Sequence, residues 1–109
     1  MNLTDQRCTP CRGGIPPLTR EQAQAHLVMT PGWLLNADAT AIHSTFKQSD
    51  FAASMAFVNA VGKLAEEEGH HPTITFGWGF CAIEMRTTKI NGLHANDFIM
   101  AAKINALTR

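Results

Sequence analysis

The sequence predicts an α+β fold in the order α-β-β-α-β-β-α, with a four-stranded antiparallel sheet and helices packed on one face. Three observations predict it. Residues 41–47 and 81–86 alternate apolar and polar side chains with a period of two, as half-buried strands do. Residues 51–65 repeat apolar side chains every three or four positions, as an amphipathic helix does. Cap and turn residues then divide the chain into two hairpins separated by that helix, an order that favours an antiparallel sheet.

The elements follow in order. Residues 1–17, broken by Pro10, Gly13, Gly14, Pro16 and Pro17, read as an irregular arm, and residues 18–109 as a single domain. Thr19 and Gln22 form a capping box that starts a first helix, which runs through Ala23 and Leu27 and ends before Pro31-Gly32. Trp33–Asn36 is a short strand candidate, followed by a turn at Asn36-Ala37-Asp38. Ala41–Lys47 is the next strand, with Ile42, Ser44 and Phe46 on one face. Ser49 or Asp50 caps the longest helix, whose predicted core stripe is Phe51, Met55, Val58, Val61 and Leu64/Ala65; Gly69 supplies its left-handed end. Strands are expected over Thr73–Trp78 and Phe80–Thr88, and Trp78 reads as a core aromatic. Asn91-Gly92 turns the chain into a final helix from about Ala95 to Leu107. That helix is apolar almost all round, which predicts cover by a partner subunit.

Composition excludes several function classes. Nine basic side chains balance nine acidic ones, which argues against a nucleic-acid binder. The longest apolar runs, such as Phe98–Ala102, fall far short of the roughly 20 residues of a membrane span, and Met1–Arg12 lacks a signal-type apolar stretch. A cytoplasmic location is the default expectation. Three cysteines give no disulfide framework. Cys8-x-x-Cys11 has the spacing of half a zinc site or of a redox pair, but no second ligand pair follows, and its Pro-Gly surroundings are not a thioredoxin-type helix start. No metal site is expected.

The segment that carries chemistry is Glu66-Glu67-Glu68-Gly69-His70-His71-Pro72. Pro72 keeps His71 out of the helical region, so the two histidines sit on an extended turn between helix and strand. Imidazole donates and accepts protons near neutrality, and an acid one turn back, such as Glu66, reaches a ring and fixes its tautomer. On residues alone, a solvated turn or an adventitious metal binder is the competing reading.

The run Glu66-x-x-x-His70-His71-Pro72, followed by Trp78, Gly92-Leu93 and Asp97, resembles the signature of pterin-4a-carbinolamine dehydratases. Pro31-Gly32-Trp33 and Phe57-Val58-x-x-Val61 extend the resemblance. Cys8-x-x-Cys11 and Gly92–Ala102 are similar to its bacterial branch. The resemblance implies dehydration of 4a-hydroxytetrahydropterin to quinonoid dihydropterin, with no cofactor, recycling the pterin of an aromatic amino acid hydroxylase. It implies His70 and His71 as catalytic residues, and Glu66, Pro72, Thr87, Thr88, Lys89 and Asp97 around the substrate. The open sheet edges and the apolar last helix, for their part, predict a homodimer or homotetramer. One position departs from the pattern: the family usually places a third histidine where Thr88 stands. A hydroxyl does not exchange protons at neutral pH, so the alternative is a catalytically weakened pterin-binding or protein-interaction module of the dimerisation-cofactor type. His94, six residues on, is either a substitute for that histidine or a helix-start residue at the surface.

Overall fold

The computed structural model describes residues 3–10 and 13–108. Its elements are α1 (Arg20–Leu27), β1 (Leu34–Leu35), β2 (Ile42–Lys47), α2 (Phe51–Glu68), β3 (Thr73–Gly77), β4 (Phe80–Met85) and α3 (Ala95–Ala106), with 3-10 turns at Leu3–Asp5 and Thr88–Ile90. The four strands form one antiparallel sheet in the order β1-β2-β4-β3. This is the α+β architecture that the periodicities predict.

The caps act as the sequence implies. Thr19 Oγ1 accepts the Gln22 amide while the Gln22 side chain accepts the Thr19 amide, closing both halves of the box. Asp50, of the two candidates, caps α2 by accepting the Ala53 amide at 2.8 Å. Gly69 ends α2 at φ 67°, a left-handed conformation that glycine adopts without a Cβ clash. A two-residue turn, Trp78-Gly79, then joins β3 to β4.

Alternation along the strands sends Ile42, Ser44, Cys81, Ile83 and Met85 inward, where they meet Val61, Leu93, Phe98 and Ile104. His43, Thr45, Thr75, Ala82 and Glu84 line the opposite, open face of the sheet.

Four expectations need correction. The buried stripe of α2 is Ser54, Phe57, Val61 and Ala65, whereas Phe51 and Met55 are about half exposed. Ser54 is buried because its hydroxyl donates to the Asp50 carbonyl, which removes the cost of burying it. Trp78 sits at the tip of the β3–β4 turn, 72% exposed, so it is not core. Strand β4 ends at Met85, and Thr88 opens a 3-10 turn instead of continuing the strand. The apolar α3 is covered by its own chain: α2, β4 and the N-terminal 3-10 turn pack on it, and Leu3 is buried against it. Beyond that turn, the described arm residues touch the domain at Cys8 and Thr9. Among the large apolar side chains left outside are Phe51 and Met55 of α2 and Phe76, Trp78 and Phe80 of the hairpin, besides others such as Val28 and Leu34. Among the described residues, no helix is long and apolar enough to cross a membrane.

Candidate active site

Helix α2 delivers the two histidines. Its last turn closes through the Gly69 and His70 amides, both donating to the Ala65 carbonyl. His70 and His71 then emerge in tandem before Pro72 turns the chain into β3. Each imidazole meets a different carboxylate. His70 Nε2 lies 2.6 Å from Asp97 Oδ1, and His71 Nε2 is paired with Glu66 Oε2. A carboxylate only accepts, so each ring presents its Nε2–H to the acid.

The two pairs differ in burial. The His70 side chain is 13% exposed and Asp97 is fully buried. The His71 and Glu66 side chains are 61% and 77% exposed. Asp97 is also held from its other oxygen, which accepts the Thr87 hydroxyl at 2.9 Å and the His94 amide at 3.0 Å. Three donors therefore converge on one buried carboxylate, which fixes it as an acceptor.

A cavity of about 300 Å³ opens beside these groups. Both histidines, Thr87, Thr88, Lys89 and Arg86 contribute to its lining. Glu84 of β4 lines it as well, 3.4 Å from the Arg86 guanidinium. The cavity combines two imidazoles with hydroxyls and both signs of charge. Such a set can hydrogen-bond a small polar molecule and exchange protons with it.

The structure brings together most of the residues singled out from the sequence. His70, His71, Thr87, Thr88 and Lys89 reach the cavity; Glu66 stands behind His71, and Pro72 shapes the turn between the histidines and β3. Asp97 does not line the cavity. It lies beneath it against His70, a place that the substrate-binding expectation for this residue did not describe. His94 is the N-cap of α3: its Nδ1 accepts the Asn96 amide at 3.0 Å, and Asp97 returns the bond to the His94 amide. That capping box was legible in the spacing of His94 and Asp97, but histidine is not among the usual caps.

Further lining residues were not among the site candidates singled out from the sequence. Glu84 and Arg86 reach the cavity from β4 and just beyond it. Thr9 of the arm lines it too, as does Asn96, which accepts the Thr9 amide at 2.9 Å and donates to its carbonyl at 2.6 Å. Cys8, next to Thr9, donates its amide to Glu68 Oε1 at 2.9 Å. Burial, then the Glu68 charge, pushes the Cys8 thiol up to about 12. A thiol so disposed is neutral and unreactive at ordinary pH. Cys11, the other half of Cys8-x-x-Cys11, lies outside the described residues.

Comparison with known proteins gives this cavity a family. The family model described as pterin 4 alpha carbinolamine dehydratase matches residues 16–107. A Cupriavidus pinatubonensis protein that carries the provisional name pterin-4-alpha-carbinolamine dehydratase 1 is 57% identical, covering 96% of this chain and 90% of its own. A Methylococcus capsulatus protein provisionally named for the same activity is 54% identical, over 97% of this chain and 93% of its own. Among solved structures, a transcriptional coactivator/pterin dehydratase from Brucella melitensis superposes with a TM-score of 0.80 at 28% identity, covering 85% of this chain and 99% of that one. A pterin dehydratase-like protein described as a RuBisCO assembly factor of the alpha-carboxysome superposes with a TM-score of 0.60 at 26% identity, over 70% and 88%. From the Glu66–Pro72 run to the sheet order, sequence and fold agree: this chain belongs to the pterin-4-alpha-carbinolamine dehydratase family.

Proposed function

We propose that this protein dehydrates 4a-hydroxytetrahydropterin to quinonoid dihydropterin by general acid–base catalysis on His70 and His71, recycling the pterin of an aromatic amino acid hydroxylase. The observation that carries this reading is the pair of imidazoles at one cavity, each with a carboxylate on Nε2. With Nε2–H committed to the acid, Nδ1 is the nitrogen of each ring that exchanges protons with a substrate. The N5 lone pair of the carbinolamine expels the 4a-hydroxyl. One imidazolium protonates that hydroxyl, which leaves as water, and the other imidazole takes the N5 proton. The carboxylates then stabilise whichever ring is charged.

Thr88, at the lip of the cavity, gives the substrate a hydrogen-bonding hydroxyl but no proton exchange near neutrality, so the reaction runs on two histidines. Self-association as a dimer or tetramer fits the apolar side chains that Phe51, Met55, Phe76 and Trp78 leave outside. That same patch favours the second reading, a protein-interaction module that has kept the pterin cavity with weakened catalysis. Two structural neighbours carry names of interaction roles, one as a transcriptional coactivator as well as a pterin dehydratase, the other as a RuBisCO assembly factor.

The test is stopped-flow dehydration of 4a-hydroxytetrahydropterin by the purified protein without added metal. The dehydratase reading expects a rate well above the spontaneous one, linear in protein concentration. A rate equal to the spontaneous one leaves the interaction-module reading in its place.

A further inference from the structure

We infer that the arm segment at Cys8 and Thr9 is a built wall of the pterin cavity, and that Asn96 and Glu68 are positioning residues that set affinity for the pterin by holding that wall in place. The identity of the ligand rests on the dehydratase reading; the wall itself does not.

The family model begins at residue 16, so nearly all of the arm lies outside the segment that model matches, although bacterial relatives align over 96–97% of this chain. Yet Thr9 lines the same cavity as His70 and His71. Three ties hold the arm. At its start, Leu3 is buried in the core against α3. At Cys8, the backbone amide donates to Glu68 Oε1, and the other oxygen of Glu68 accepts Lys103 Nζ at 2.7 Å. At Thr9, the Asn96 side chain takes both the amide and the carbonyl, as a neighbouring strand would. Asn96 is 2% exposed, and an amide side chain buried that deeply is a fixed template.

The ties reach the chemistry through position. Glu68 stands two residues before His70 on the same helix end, and Asn96 is the neighbour of Asp97 in the first turn of α3. The arm is thus fastened to the two turns that carry the buried histidine–carboxylate pair. Its contribution to the cavity is shape and a threonine side chain, with no group that exchanges protons near neutrality. A wall of this kind acts on ground state and transition state alike, which moves binding without moving turnover.

The test compares wild type with Asn96→Ala, which removes both bonds to Thr9, and with Thr9→Gly, which keeps every backbone bond at an exposed site and so leaves folding alone. Binding of 7,8-dihydrobiopterin, a pterin with no 4a-hydroxyl to lose, is read by fluorescence titration. Loss of two neutral hydrogen bonds predicts a Kd and KM about tenfold higher in Asn96→Ala, with kcat within about twofold. Thr9→Gly should raise Kd about threefold. A second readout needs no pterin: carbethoxylation of His70 by diethyl pyrocarbonate, followed by peptide mass mapping. It should quicken several-fold in Asn96→Ala, while His71, already exposed, keeps its wild-type rate. A wild type that binds no pterin would sink the dehydratase reading, and His70 modification would still decide the wall. Folded Asn96→Ala and Thr9→Gly proteins with wild-type Kd and wild-type His70 modification would overturn the inference. So would a kcat that falls as far as KM rises.

Discussion

His70 and His71 are adjacent in the chain and alike in design, yet their surroundings are opposites. His70 meets a carboxylate with no exposure that already accepts two other donors. His71 meets one that is 77% exposed on the last turn of a helix. An exposed pair of this kind contributes about 0–1 kcal/mol and is screened by salt. Removing one partner of a buried hydrogen bond costs more, about 1–3 kcal/mol, because no water replaces it. His70 is therefore set rigidly by tertiary structure, whereas His71 is steered by its own helix end and remains open to water. For the acid–base mechanism proposed above, this division supplies one ring fixed in place and one able to trade protons with solvent.

The largest effect that could break the comparison is on turnover. His70→Ala should lower kcat by about 10²–10⁴-fold with an unchanged circular dichroism spectrum, since a mostly buried ring is not replaced by water. His71→Ala should stand at the lower end of that range, about 10²-fold, because solvent reaches its position. The reverse order in stopped-flow assays would mean that exposure does not rank the two histidines.

A smaller effect concerns the missing third histidine. Thr88→His should raise the dehydration rate about tenfold, less than a native acid–base group contributes, because no second shell supports it. Thr88 is exposed at the start of a 3-10 turn, so a larger side chain meets no core there. An unchanged rate with unchanged pterin affinity would show that two histidines suffice.

The smallest effect is on pH. Glu68 is a third carboxylate on the same helix end, nearly buried against Lys103. Burial alone would raise it, but Lys103 and the Cys8 amide outweigh burial and hold it below the ordinary glutamate value of 4.5. A carboxyl lowered on folding contributes stability that is present above 4.5 and is lost as the pH falls below it. Urea denaturation should therefore show a gentler loss of stability below pH 4.5 in Glu68→Gln than in wild type. Parallel curves would remove Glu68 from the acid response.

Much of this was legible in the sequence, and the remainder was not for physical reasons. Local signals carried the fold: Thr19 with Gln22, Asp50, Gly69 and the alternation of β2 each act within a few residues, where spacing dictates geometry. The Glu66–His71 contact spans five residues and was foreseeable from a helix end. The His70–Asp97 contact spans 27 residues and the Thr9–Asn96 clamp 87, and nothing local encodes such meetings. On α2, apolar residues outnumber the places the core offers, so periodicity could not tell buried Phe57 from exposed Phe51 and Met55. Trp78 misled because a large aromatic normally seeks the core, and here a two-residue turn holds it outside.

The central claim is that the buried pair anchors the chemistry, and the turnover of Asp97→Asn beside Glu66→Gln tests it most directly. Asp97 accepts three donors; an asparagine there has one oxygen and an amide that is itself a donor, so one of the three is opposed and the His70 ring loses its fixed tautomer. Glutamine at position 66 sits in water and can turn its oxygen to His71. The account predicts that Asp97→Asn, folded by circular dichroism, loses at least about 10²-fold in kcat while Glu66→Gln loses less than about tenfold. Equal losses, or a larger loss in Glu66→Gln, would contradict it.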